Sequence, residues 1–148
     1  MTTGRPDAET AIGEVVARGG VHLEFVPQPA VLETCWYTVG LTGHGLPELI
    51  VFGLPPDLAR PALRALADDL VAGRVTIAAG QRADDVLAGH PAQFVAVTEP
   101  DRHLPAAAQV YAGAPLRALQ VVWPDRYQRW PWQTGTHVAD MPVLGEHP

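Results

Sequence analysis

The residues best suited to acid/base chemistry are two carboxylates and a histidine, placed at the ends of apolar runs. Glu48 opens the run at residues 49–52, Asp125 follows the run that ends at Trp123, and His44 lies in the glycine-rich stretch before Glu48. Desolvation in a pocket would raise the pKa of either carboxylate, and histidine titrates near neutral pH, so each is a candidate general acid or base. Structural roles compete: a strand-end carboxylate also accepts bonds from backbone amides or arginine, and a loop histidine is often a surface residue.

A second set of side chains could orient a ligand beside these groups. Its members place a hydroxyl, an amide or an indole ring among apolar residues: Tyr37, Thr38, Gln120, Trp123 and Trp132. Apolar walls with a few fixed polar groups are typical of a small-molecule pocket. A buried tyrosine or glutamine can equally tie two strands together. If strands near residues 34–41, 48–52 and 116–123 are neighbours, we expect the polar groups to converge at one end of the sheet, beside the two tryptophans.

The composition argues against several classes of catalytic group. The chain has no serine and no lysine, which excludes a serine nucleophile and a lysine Schiff base. The single cysteine, Cys35, lies in an apolar segment without neighbouring basic residues, so we expect a buried, inert thiol. The six histidines show no metal-ligand spacing, and the sequence therefore predicts no metal and no cofactor. A metal site at His44 or His103 is a weaker alternative.

Composition also restricts the partners. The formal net charge is −6 and there is no basic run, so we expect no nucleic-acid partner. No apolar run approaches the roughly 20 residues that span a bilayer, and the polar N-terminus lacks the apolar region of a signal peptide. These features predict a protein of the cytoplasm that does not bind membranes. They leave the oligomeric state open.

Hydrophobic periodicity predicts an α+β fold. Apolar runs and alternations indicate strands, and a 3.6-residue spacing indicates helices. The expected helices cover 8–18, 55–72 and 105–112; the expected strands cover 21–26, 34–41, 48–52, 93–98 and 116–123, with a short one at 75–78. We expect a single domain over residues 1–148, with two to three helices packed on a mixed, mostly antiparallel sheet of about five strands. Residues 1–6 would be a loose tail and residues 135–148 an irregular one.

Four motifs together carry a family resemblance. They are Tyr37-Thr38-Val39-Gly40-Leu41, Pro47-Glu48-Leu49 with Phe52-Gly53, Leu119-Gln120-Val121-Val122-Trp123-Pro124-Asp125, and Pro131-Trp132. As a set, spanning about Gly20 to Gly145, they resemble the bacterial domain of unknown function numbered 4262. The resemblance implies a small, soluble, mostly bacterial domain, and it implies no substrate, cofactor or catalytic residue. Members commonly have a glycine between the aspartate and the Pro-Trp pair, whereas residues 126–130 contain none.

Two functional hypotheses follow, and whether the protein is an enzyme stays open. The first is a site for a small polar metabolite, with hydrolysis or isomerisation by carboxylates as its candidate chemistry; it would be lined by Tyr37, Glu48, Gln120, Trp123 and Asp125. The alternative is a non-catalytic protein-interaction module that uses the aromatic loop Tyr127–Trp132. Two carboxyl groups within about 10 Å of each other in an apolar pocket would favour the first. A Glu48 carboxylate satisfied by backbone amides would favour the second.

Overall fold

Helices and strands are interspersed along the chain, with β-strands in consecutive runs. The computed structural model describes residues 8–87 and 90–147, so the predicted tail at residues 1–6 lies outside the described residues. In chain order the elements are α1 (Ala8–Ala17), β1 (His22–Val26), β2 (Cys35–Val39), β3 (Glu48–Phe52), α2 (Pro56–Val71), β4 (Arg82–Leu87), β5 (His90–Ala96), α3 (Pro100–His103), α4 (Pro105–Val110) and β6 (Ala118–Val122).

All the strands belong to one sheet, in the order β1-β2-β3-β6-β5-β4. Neighbouring strands run antiparallel except β3 and β6, which are parallel. The predicted class, α+β with a mixed and mostly antiparallel sheet, is confirmed. The predicted numbers were too low, because the described part of the chain contains six strands rather than about five and four α-helices rather than two to three.

The extra strand, β4, lies in a polar stretch that gave no strand signal. It forms an edge of the sheet and pairs only with β5. An edge strand leaves side chains such as Arg82 and Asp84 exposed, so its sequence lacks the apolar alternation of a half-buried strand. The predicted short strand at residues 75–78 is wrong, since these residues form no strand. The extra helix, α3, is a four-residue helix that lies just before the predicted helix at 105–112.

Each face of the sheet is covered by a different set of elements. On one face α2 buries Leu63 and Ala67 against residues that include Trp36, Leu49 and Val51. The other face carries α1, α4 and the C-terminal segment over a second core; Tyr37, Ile50, Val95, Leu104 and Met141 belong to it. The central strands β2, β3 and β6 are buried at every residue, as expected for strands covered on both faces.

Helix α2 is turned slightly from its predicted orientation. The spacing of Leu58, Ala62, Leu66 and Leu70, with Leu63 beside them, predicts the buried stripe. Leu63 and Leu70 are buried, but the other two buried residues are Ala59 and Ala67. Leu58, Ala62 and Leu66 pack at the margin of the core. Ala59 and Ala67 are fully buried, and their small side chains allow the helix backbone to lie near the strands.

The C-terminal segment covers the sheet without regular structure. Residues 135–147 form neither helix nor strand, yet Val138 and Met141 are buried in the core. No helix in the described ranges is both long and apolar enough to cross a membrane.

Candidate functional site

The Glu48 carboxylate is buried at the start of β3 and accepts five hydrogen bonds. Its Oε1 accepts from the hydroxyl of Thr38 at 2.7 Å and the backbone N–H of Leu41 at 3.2 Å. Its Oε2 accepts from the backbone N–H of Gly40 at 3.2 Å and from both the N–H and the hydroxyl of Thr42, at 2.8 and 2.6 Å. The residue is 0% exposed. Every donor comes from β2 or the β2–β3 connection, so Glu48 fixes this connection to β3.

Local backbone geometry directs these donors at one point. Gly40 has a φ of +142°, and a 3₁₀ turn at Thr42–His44 follows it, so that successive N–H groups face the carboxylate. The Thr38 hydroxyl, which donates to Glu48, also accepts from the N–H of Leu49 at 2.9 Å. His44 lies at the exposed end of this turn, and its Nε2 donates to the carbonyl of Gly19 at 2.9 Å. The predicted candidates Glu48, Thr38 and His44 are therefore joined through one loop whose polar groups bond to each other and to the backbone.

The Asp125 carboxylate organises a second loop, after β6. It accepts from the backbone N–H groups of Tyr127, Arg129 and His137 at 2.8, 3.0 and 2.9 Å, and from Arg129 Nε at 3.1 Å. Burial alone would raise its pKa, but the three backbone N–H groups and Arg129 outweigh burial and hold the pKa of Asp125 well below its usual range. The residue is 4% exposed. It is therefore a fixed anion at neutral pH, poorly suited to proton transfer.

The predicted ligand-orienting residues bond to the protein itself. The Tyr37 hydroxyl accepts from the N–H of Ala106 at 3.0 Å, and burial raises the pKa of Tyr37 to about 12. Trp123 Nε1 donates to the carbonyl of Phe52 at 2.7 Å. The Gln120 amide donates to the carbonyl of Pro142 at 2.7 Å and accepts from the N–H of Leu144 at 2.8 Å, which ties the C-terminal segment to the sheet. Trp132 stacks between Trp130 and His147, with ring centroids 5.7 and 4.8 Å away.

The structure separates the two predicted carboxylates. Strands β2, β3 and β6 are neighbours as expected, but the expected convergence at one end of the sheet is wrong. In the parallel pair, Glu48 lies beside Ala118 at the beginning of β6, whereas Asp125 follows its far end. The five residues of β6 span four steps of about 3.3 Å, which places the backbones of Glu48 and Asp125 more than about 13 Å apart along the strands. They do not share a site of the kind that paired carboxylates require.

The aromatic loop divides into a buried and an exposed part. Trp130 is buried beneath the guanidinium of Arg82, whose Cζ lies 4.7 Å from the ring centroid. Tyr127 is 56% exposed, and the guanidinium carbons of Arg126 and Arg129 lie 4.9 and 5.0 Å from its ring centroid. The ring of His137 meets Tyr127 edge-on at 5.5 Å. We call the four residues Arg126, Tyr127, Arg129 and His137 the Tyr127 platform.

The loop reaches this shape without glycine. Gln128 has a φ of +62°, in the left-handed region that glycine adopts most easily. The resemblance implies that glycine is common in this segment. At position 128 a glycine would adopt the observed backbone conformation with less strain than glutamine does. The N–H of Gln128 donates to the Asp125 carbonyl at 2.9 Å, which supports the turn.

Sequence reasoning missed two arginines on α2. Arg60 and Arg64 are one helical turn apart, next to Trp36, and line the groove between α2 and β1. Their i, i+4 spacing was the available signal, but like charges on a helix surface rarely indicate a site unless the facing residues are known. Among the described residues, no three or more His, Cys, Asp or Glu side chains lie together in an arrangement that could hold a metal ion.

Comparison with known proteins identifies a family and no characterised relative. No curated protein and no solved structure matches the chain. The family model described as a domain of unknown function, DUF4262, matches residues 15–137 and so covers β1 to β6 together with the loop held by Asp125. This span includes all four motifs that carried the resemblance, and the chain therefore belongs to the DUF4262 family.

Proposed function

We propose that the protein is a non-catalytic recognition module of the bacterial cytoplasm, and that its Tyr127 platform contacts an acidic segment of a partner protein. The observation that carries the proposal is the role of Asp125. One buried carboxylate binds three backbone N–H groups and thereby holds an exposed tyrosine between two guanidinium groups. Binding residues commonly lie on loops that a rigid scaffold positions, and this loop has such a scaffold.

The composition of the platform suits protein recognition. Tyrosine and arginine are enriched among the residues that dominate binding energy at protein interfaces, because each combines a large contact area with directed polar groups. Arg126 is exposed, its guanidinium lies over the Tyr127 ring, and it forms no ion pair with a described residue. Residues 126–139 contain no Asp or Glu, although the whole chain carries a net charge of −6. Arg129 is paired with Asp125, so Arg126 carries the uncompensated positive charge of the platform among the described residues. An exposed cation without a carboxylate partner favours an acidic partner segment.

The alternative, a metabolite site that uses the predicted carboxylates, has less support. Acid/base catalysis needs a group with a free lone pair or proton near the substrate. Glu48 and Asp125 direct their oxygens to donors within the protein, and Cys35 is a buried thiol whose pKa burial raises to about 11. The separation of Glu48 and Asp125 along the sheet also argues against a catalytic site that uses both carboxylates. These observations favour recognition over catalysis.

Site-specific photo-crosslinking in the native cell tests the proposal. A photoreactive phenylalanine analogue replaces Tyr127, and Val31, an exposed residue outside the platform, receives the same analogue as a matched control. We expect an adduct that forms from position 127, is absent from position 31, and disappears in the Arg126→Glu background. Mass spectrometry identifies the partner, and titration calorimetry with the purified partner then measures affinity, which we expect to fall as salt concentration rises.

Two results would contradict the proposal. One is an adduct that survives Arg126→Glu unchanged, since charge reversal at the platform should weaken an acidic partner strongly. The other is turnover of a metabolite by the purified protein that Glu48→Gln or Asp125→Asn abolishes while the fold is retained, which would restore the catalytic hypothesis.

A further inference from the structure

The groove between β1 and α2 carries features that the Tyr127 platform does not use. Two adjacent hollows of about 540 and 580 Å³ share Leu23, Arg60 and Arg64 in their walls. Each hollow has a volume in the range typical of small-molecule sites, and both are open to solvent. Trp36 of β2 and Phe25 of β1 line the second hollow, and Asp57 at the start of α2 lines the first.

Two carboxylates also line the hollows, Glu24 and Asp57, but neither forms an ion pair with the arginines of the groove. Glu24 bonds instead to Nε2 of His22 at 3.0 Å. Arg60 and Arg64 are exposed, and neither forms an ion pair with a residue that the structure describes. Arg64 donates one hydrogen bond, from Nη1 to the carbonyl of Val21 at 2.8 Å, which fixes its guanidinium at the edge of β1. Two like charges one helical turn apart repel each other, and an anion between them would remove the repulsion. Guanidinium groups bind carboxylate and phosphate oxygens through paired N–H donors.

A buried donor in the groove wall supplies the second observation. Trp36 is 9% exposed, and its indole Nε1 is buried without a hydrogen-bond partner among the described residues. Indole N–H groups normally find an acceptor when they are buried, so this donor is unusual. The Arg60 guanidinium lies over the Trp36 ring at 5.9 Å, and the Phe25 ring packs against it at 4.9 Å. Both of these side chains are exposed, and a ligand bond to the indole N–H requires the side chains around this buried atom to move.

We infer that this groove binds a small aromatic carboxylate. The carboxylate would lie between Arg60 and Arg64, and the aromatic ring would stack on Phe25, which is 40% exposed. An oxygen of the same ligand would accept the unpartnered N–H of Trp36. Three features of the groove thereby find partners in one molecule: the paired charges, the exposed ring and the buried donor. The site lies on the α2 face, on different elements from the Tyr127 platform, and the inference does not depend on the proposed function.

Nuclear magnetic resonance with phenylacetate as the probe tests the inference. The indole N–H resonances of a ¹⁵N-labelled protein are observed during titration, and Trp36→Phe identifies the Trp36 signal by its loss. We expect saturable binding with a dissociation constant of about 1 mM or lower and a downfield shift of the Trp36 indole proton as its hydrogen bond forms. Phenylacetamide, which keeps the ring and lacks the charge, is expected to bind at least about tenfold more weakly.

Matched charge variants assign the binding to the groove. Arg60→Gln is expected to weaken phenylacetate binding about tenfold, because it removes a charge-assisted donor. Arg60 makes no hydrogen bond to a described residue, so this variant keeps the fold. Arg102→Gln removes the same charge from α3, outside the groove, and is expected to leave binding unchanged. Absence of saturation at about 10 mM phenylacetate, which is far above metabolite affinities, would overturn the inference. So would equal binding by the Arg60→Gln protein, or saturation by inorganic phosphate in place of phenylacetate.

Discussion

Glu48 and Thr42 bond twice across the β2–β3 connection, through the backbone N–H and through the hydroxyl of the threonine. Both donors bind the same carboxylate oxygen, Oε2, while Gly40 also donates to it. A carboxylate is the side chain that can accept all of these bonds together with those at Oε1, because it has two oxygens and no donor. Glu48 therefore replaces the backbone pairing that the end of β2 lacks.

Glu48→Gln is expected to destabilise the protein although it conserves shape. The amide NH₂ would face the N–H groups of Gly40 or Thr42 and leave buried donors without an acceptor. We expect the free energy of unfolding to fall by about 2–3 kcal/mol, measured by urea denaturation at pH 7. Glu33→Gln, at an exposed residue, is the matched control and should stay within about 0.5 kcal/mol of the wild type. Equal stability of the two variants would contradict the structural role of Glu48.

The depressed pKa of Asp125 predicts how its contribution to stability varies with pH. Because the folded pKa lies below the ordinary value of 3.8, the contribution is fully present above about pH 5 and is lost as the pH falls toward the folded pKa. Asp125→Asn should lower the melting temperature by several degrees at pH 7. The difference in the free energy of unfolding between wild type and variant should narrow steadily from pH 5 to pH 3. Urea denaturation at each pH measures this difference.

An exposed aspartate provides the control for Asp125. Asp140 is exposed on the C-terminal segment and takes no part in the hydrogen bonds that Asp125 accepts. Asp140→Asn should change stability little across the same pH series. A gap for Asp125→Asn that is constant with pH would show that the loss comes from packing and not from the ionised carboxylate.

Loss of the Gln120 side-chain bonds is expected to destabilise the C-terminal segment and not the whole fold. Replacing it by leucine removes both bonds to the C-terminal segment and leaves the Leu144 N–H and the Pro142 carbonyl unpaired. We expect faster hydrogen exchange and earlier proteolysis over residues 138–147, with a loss of about 1–3 kcal/mol in the free energy of opening that segment. Gln109→Leu, on the exposed side of α4, is the control. Exchange accelerated equally across the whole sheet would contradict this prediction.

The central strands were predictable because strands that are buried on both faces need nearly continuous apolar residues, and such runs are visible in the sequence. Strand β3 is buried at every residue and spans the predicted residues 48–52, and the turn signals around it set its ends. Strand β4 was not predictable, because an edge strand is defined by a partner, β5, that no local pattern reveals. The orientation of α2 depends on which of two adjacent apolar stripes meets the sheet, and that choice is made by packing.

The polar residues were easier to find than to interpret. A carboxylate or amide within an apolar run signals that it has a partner, and Glu48, Asp125 and Gln120 each have several. The sequence does not show whether that partner is a ligand or the backbone of a distant segment. The direction of β6 relative to β3 decided the question for the two carboxylates, because parallel pairing places them at opposite ends of the sheet. The groove between β1 and α2 could not be predicted for the same reason, since the residues that line it come from separate elements, β1, β2 and α2 among them.

Cys35 is expected to resist modification in the folded protein. Burial raises the pKa of its thiol to about 11, so little thiolate is present at pH 8. We expect reaction with an aromatic disulfide reagent at pH 8 to be slow in buffer and rapid in denaturing urea. A Val31→Cys variant supplies an exposed thiol in the same chain, and that thiol should react rapidly in buffer. Comparable rates for both thiols in the folded protein would contradict the buried position of Cys35.

Gly40 allows the α1–β1 turn to cross the end of β2, and a pair of glycine substitutions measures this contact. A Cβ at Gly40 would meet the carbonyl oxygen of Gly20 and lie 2.9 Å from the Cα of Val21, at a φ of +142°. A Cβ at Gly45 would meet no atom within 4 Å, at a φ of +75°. Gly45→Ala should therefore cost only backbone strain, about 1–2 kcal/mol. Gly40→Ala should cost about 1–3 kcal/mol more, because the overlap involves backbone that cannot move without displacing β1 or the N–H that Gly40 donates to Glu48. Urea denaturation of both variants measures the difference, and equal losses would mean that the two backbone segments are farther apart than the structure places them.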